Sequence, residues 1–313
     1  SQLDNVVEQL PIFGNNDLIA QAQIYSMNGE TEKAKRILTN SQFSDVDFRY
    51  QKLLLALNEN QKLQFDTFLK PSDVIASILA LVSQIGTDNN GQSLSTMFYL
   101  RLAENLSSNK ALYSIELAQS FAKNNVTDLV VQSYQSVADT SPLYLKAQLG
   151  LASTYIDIGR TDDAITLLQD LIETGFNIFV VLDLMGDALR MSEQYDLSIK
   201  YYTEAIKNFR PKDKFGLWST FFFRGISYEQ SGNWELANTD LRKALELRPG
   251  QPQVLNYLGY SWLERDYKLD EAMEMLKRAY SLRSNDPYII DSIGWAYYLI
   301  ENYTEAEKYL KKA

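Results

Sequence analysis

Carboxylates, tyrosines and tryptophans carry most of the binding chemistry this sequence offers, because it contains neither histidine nor cysteine. That absence removes thiolate nucleophiles, disulfides, Cys/His zinc sites and every triad that needs an imidazole base. Asp183 and Asp187 stand at i and i+4, so both leave one face of a helix. Such a pair can hold a cation or anchor a basic side chain of a partner. Two carboxylates fall short of the roughly six or more oxygens calcium prefers, so the plainer reading is two solvated acids. Asp45-Val46-Asp47 begins like a calcium loop but lacks its glycine and closing glutamate. No GxxxxGK[ST] or GxGxxG phosphate loop occurs, and Gly225-Ile226-Ser227 and Gly259-Tyr260-Ser261 start a nucleophile elbow without finishing it. The expectation is no catalytic residue, no cofactor site and no metal site.

The chain that must position these groups has 313 residues, 45% hydrophobic and 12% aromatic, enough to build a core. With 40 acidic against 30 basic residues its net charge is −10, which repels phosphate backbones and argues against nucleic acid as a partner. The N-terminal SQLDNVVEQL has no basic start and apolar run, so no signal peptide is expected within the sequence. The longest apolar stretch, 74–82, is about half of the roughly 20 residues a bilayer-spanning helix needs.

A period near 34 residues organises the rest. Unit starts at Ala111, Leu145, Phe179, Trp218, Pro252 and Pro287 give steps of 34, 34, 39, 34 and 35. Each unit holds two helical patterns parted by a breaker such as Ile158-Gly159-Arg160 or Ser231-Gly232-Asn233, and prolines 142, 249, 252 and 287 mark the joins. Small residues at Gly225, Gly259 and Gly294 are expected to let the two helices approach, with the Tyr or Trp three residues on filling the gap; bulk at Gly259 should overpack the hairpin. Helices are also expected at 47–58, 72–85 and 93–106, around the loop GTDNNGQS.

The run Gly225, Tyr228, Gly232, Trp234, Ala237, Leu241, Ala244, Pro249, repeated as Gly259, Trp262, Ala272, Leu276, Ala279 and as Gly294, Tyr297, Tyr303, Ala306, Leu310, resembles the tetratricopeptide repeat family. The resemblance implies an all-α, right-handed solenoid of about eight or nine helix pairs. It divides the chain into irregular repeats at 1–110 and a regular array at 111–313, with the last repeat cut short at Ala313. A further likeness, PQVLNYLGYSWLER (252–265) with YIIDSIGWAYYLIENYTEA (288–306), is to tetratricopeptide lipoproteins of proteobacterial envelopes.

In such a solenoid the first helix of each unit lines the concave side. The stripe facing that side is expected to include Asp183 and Asp187; Phe222 and Phe223; Asn256, Tyr257 and Tyr260; and Tyr288, Asp291, Trp295 and Tyr298. An alternative is that these aromatics pack between neighbouring first helices. As a groove they would hold a protein or peptide with an apolar or basic segment, Asn256 bonding its backbone. The Lys and Asn set that clamps a C-terminal carboxylate elsewhere in the family is not matched, since Asp183, Phe222, Asn256, Asp291 and Trp295 occupy those positions. The resemblance thus implies a non-catalytic adaptor or scaffold, without cofactor, in a bacterial envelope assembly, periplasmic or anchored at the outer membrane. The alternatives are a cytoplasmic adaptor or co-chaperone, and the interaction module of a larger enzyme. Tyr309 and Leu310 at the last edge are expected to lack a neighbour on one side and to favour continuation of the chain or self-association.

Overall fold

The computed structural model describes residues 15–40, 48–64, 70–85, 94–176, 178–210 and 216–313. These form two compact units, 1–157 and 158–313, and contain helices without a strand. The loop GTDNNGQS and Asp45-Val46-Asp47 lie outside the described residues.

The first unit contains α1 (Asn15–Met27), α2 (Thr31–Asn40), α3 (Phe48–Asn58), α4 (Pro71–Ile85), α5 (Leu94–Leu106), α6 (Lys110–Lys123), α7 (Thr127–Gln135) and α8 (Tyr144–Asp157). The second contains α9 (Thr161–Glu173), α10 (Phe179–Met191), α11 (Tyr195–Asn208), α12 (Leu217–Gln230), α13 (Trp234–Leu247), α14 (Pro252–Leu263), α15 (Leu269–Leu282), α16 (Pro287–Leu299) and α17 (Tyr303–Leu310). Within each unit a helix packs chiefly on its neighbours in sequence, and α10 also touches α12 as α14 touches α16. This is the tetratricopeptide-type solenoid arrangement of stacked helical hairpins. The irregular region behaves as its periodicity predicts: α3, α4 and α5 begin and end within one residue of the expected 47–58, 72–85 and 93–106.

Why these hairpins form is visible at α12–α13. Ala237, Leu241 and Ala244, spaced by four and three, are fully buried on one stripe of α13. Between the helices Gly232 adopts φ +79°, its N–H reaching the Glu229 carbonyl at 2.9 Å while the Asn233 N–H reaches that of Tyr228 at 2.8 Å. That pair of bonds satisfies carbonyls the helix end would leave orphaned. The same pair closes α10 around Glu193, α14 around Asp266 and α16 around Glu301, none of them glycine. Pro252 and Pro287 open α14 and α16, and the Asp286 carboxylate caps α16 by accepting from the Tyr288 and Ile289 N–H groups.

The small residues of the first helices sit directly against the second helices. A β-carbon placed at Gly225, Gly259 or Gly294 would meet Leu241, Leu276 or Leu310, so leucines of the second helix fill these gaps. At Gly259 the nearest atom is the Ala272 carbonyl oxygen, 3.0 Å away. At the last edge, Tyr309 stacks on Tyr297 and meets Tyr280 edge-on, while Leu310 covers Gly294 but stays exposed on its other side.

Candidate functional site

The second unit presents a succession of first helices, α10, α12, α14 and α16. Each buries one stripe against its own second helix, and the adjoining stripe carries the polar and aromatic groups.

On α10, Asp183 is half-buried and accepts a hydrogen bond from the buried Thr220 hydroxyl of α12 at 2.7 Å. Asp187 accepts from the Tyr202 hydroxyl of α11 at 2.6 Å, and the Arg190 guanidinium lies 3.6 Å from it. The acids therefore form a polar seam between helices and are not two freely solvated groups. Among the described residues no cluster of three or more acidic groups could hold a metal ion.

Burial, reinforced by the Asp187 charge and opposed by the Thr220 hydrogen bond, pushes the Asp183 carboxyl up to about 7. In the unfolded chain it ionises near 3.8, so between pH about 4 and 7 the native state holds the extra proton. Stability that is fully present below that window is lost as pH rises through it. Asp183→Asn keeps an oxygen for Thr220 and removes the charge. It is expected to exceed the wild type by about 1–3 kcal/mol at pH 8 and to lose most of that advantage by pH 5. Urea unfolding followed by circular dichroism at the two pH values checks this.

The next seam joins α12 and α14. Arg190 sits over the Phe223 ring at 4.4 Å, and Phe222 is only 7% exposed with its edge against Tyr257 at 5.8 Å. Phe222 therefore leaves the groove-facing set: its ring belongs to the core shared with Val254 and Leu258. Glu229 accepts from Arg265 at 2.8 Å and from the Ser261 hydroxyl at 3.3 Å. Burial, then the hydrogen bond to Glu229 and its charge, raise the Tyr257 hydroxyl well above the usual tyrosine range. The Asn256 side-chain oxygen is buried and finds no hydrogen-bond partner among the described residues. An acceptor in that state is costly to leave unmade.

The last two first helices carry the most exposed groups. Tyr260 and Asp291 are exposed, Trp295 is half-buried, and Tyr288 and Tyr298 are 82% and 47% exposed. The Trp295 indole N–H donates to Glu264, the residue that follows α14, at 2.8 Å, and its ring stacks on Tyr298 at 5.2 Å and 20°. Of the residues expected on this stripe, Tyr260, Asp291, Trp295 and Tyr298 thus come together, whereas Asp183, Asp187 and Phe223 sit with α10 and its neighbours. Tyr257 and Asn256 lie between. Glu264, Arg265 and Thr220 were missed. Glu264 is four residues beyond Tyr260, a spacing that places both on one helical face.

Residues 224–287 and 146–174 each match the tetratricopeptide repeat family. The TPR repeat-containing protein PA4667 of Pseudomonas aeruginosa is 28% identical over 171 residues, covering 54% of this chain and 28% of that protein. The lipoprotein NlpI homolog of Haemophilus influenzae is 37% identical over 91 residues, 29% of this chain and 28% of that protein. The matched part spans little more than a quarter of either relative. The crystal structure of PilW, a widely conserved type IV pilus biogenesis factor, superposes with TM-score 0.57 at 15% identity over 65% of this chain and 91% of that one, a likeness of fold alone.

Proposed function

We propose that this chain, being a tetratricopeptide repeat protein, is a non-catalytic adaptor that docks a polypeptide on the first-helix face of its second unit. One observation carries the reading: on α14 and α16 aromatic rings and carboxylates remain exposed beside a core that is already closed. Tyr288, Tyr298 and Tyr260 supply amphipathic contact area, and Asp291 and Glu264 supply negative charge. Such a face favours apolar or basic segments and rejects acidic ones. The NlpI homolog's description as a lipoprotein supports placing the adaptor in a bacterial envelope, periplasmic or tethered at the outer membrane. No helix among the described residues is long and apolar enough to cross a membrane.

The test is site-specific photo-crosslinking of the full chain in its host. Benzoylphenylalanine at position 288, on the first-helix face, is expected to capture a discrete partner. The same probe at Arg242, exposed on the second helix α13, should not. Capture from position 242 alone would overturn the reading, as would a preference for peptides with acidic C-termini.

A further inference from the structure

Three arginines of the second unit share one arrangement. Arg190 lies over the Phe223 ring at 4.4 Å and beside Asp187 at 3.6 Å. Arg265 lies over the Trp234 ring at 4.1 Å and pairs with Glu229 at 2.8 Å. Arg224 lies over Phe221 at 5.3 Å and pairs with Asp240 at 2.6 Å. In each, a planar guanidinium takes an aromatic face and a carboxylate together, a combination it satisfies better than an ammonium does.

A fourth set of rings and carboxylates stands between α14 and α16. Glu264 is fixed by the Trp295 indole N–H at 2.8 Å and hydrogen-bonds the Tyr260 hydroxyl. Asp291 is close enough for its charge, with that of Glu264, to help hold the Tyr260 hydroxyl above its usual range, after burial as the larger cause. Among the described residues neither Glu264 nor Asp291 has an ion-pair partner, and no lysine or arginine lies over Tyr260, Trp295 or Tyr298. The rings and the acids are present and the guanidinium is missing.

We propose that Tyr260, Glu264, Asp291 and Trp295 form a seat for an arginine side chain of the partner polypeptide. The inference rests on the reading that this face binds a polypeptide, and it specifies what the bound segment must carry. The arginine's charge neutralises two carboxylates that have no ion-pair partner among the described residues. In the seat its plane stacks on the Trp295 indole from the side away from Tyr298, which stacks on the ring already.

The experiment pans a random dodecapeptide library on the full chain and on the Glu264→Gln/Asp291→Asn variant, with helicity of both verified by circular dichroism. Should the double variant lose helicity, Asp291→Asn alone replaces it, because Asp291 is exposed and makes no ion pair or side-chain hydrogen bond among the described residues. Peptides enriched on the wild type are expected to share an arginine at one fixed position. By fluorescence anisotropy, replacing that arginine with glutamine should weaken binding at least about tenfold on the wild type and less than about twofold on the variant. Enriched peptides without arginine, or an arginine whose loss costs the same on both proteins, would overturn the seat and leave the docking face standing. So would lysine matching arginine within about twofold. Enrichment of no peptide at all would remove the docking face, and the seat with it.

Discussion

Gly186→Ala is expected to destabilise the protein by about 3 kcal/mol, although alanine normally gains up to about 1 kcal/mol over glycine inside a helix. The added β-carbon would lie 2.5 Å from two ring carbons of Tyr202. A flexible side chain would swing away, but this ring is fully buried, its hydroxyl donates to Asp187 at 2.6 Å, and it accepts from the Arg190 Nε at 3.4 Å. Moving the ring breaks these bonds and disturbs the packing of α10 on α11, which adds about 1–2 kcal/mol to an overpacking cost of about 1–3. Urea midpoints of the full chain measure the loss. Combining Gly186→Ala with Tyr202→Leu should recover part of it, because the smaller side chain vacates the contact. A neutral or stabilising Gly186→Ala would mean that the ring has room the structure denies it. Gly259→Val, facing a carbonyl and a leucine in place of a pinned ring, should cost less, about 1–3 kcal/mol.

Arg224→Met should be at least as damaging, about 3–5 kcal/mol in the same measurement. Arg224 reaches from α12 to both Asp240 oxygens of α13, at 2.6 and 2.8 Å, and donates to Thr203 of α11 at 3.0 Å. The two side chains are only 14% and 6% exposed, so removing the cation strands a carboxylate where water cannot solvate it. The double change Arg224→Met with Asp240→Leu replaces both charges by apolar groups of similar bulk. It should lie within about 1 kcal/mol of the wild type or above it. A single-variant loss below about 1 kcal/mol would show the pair to be solvated like an ordinary surface bridge.

The repeat and its hairpins were legible because a period near 34 residues, with Gly, Ala and Leu at fixed offsets, reports helix-on-helix contact directly. The turns at Glu193, Asp266 and Glu301 were not, since a non-glycine residue in the left-handed region costs only about 1–2 kcal/mol and two capping hydrogen bonds offset it. Phe222 was misplaced for a related reason. Helical spacing assigns a side chain to a face, but which neighbour covers that face depends on packing, here Tyr257 of the next hairpin. Glu264 went unnoticed because its partner Trp295 is 31 residues away, and no local pattern ties the two together.

Hydrogen bonds cross from one hairpin to the next at Asp183–Thr220, Ser198–Ser227, Thr203–Arg224, Glu229–Ser261 and Glu264–Trp295. Oily contact alone has no preferred register and would let adjacent hairpins slide, whereas these bonds weaken steeply once their angles are lost. The spacing between successive first helices along the second unit is thereby calibrated in advance. For the docking proposed above, the polypeptide would meet a ruler whose graduations are already cut, and the entropy of alignment would fall on the newcomer alone.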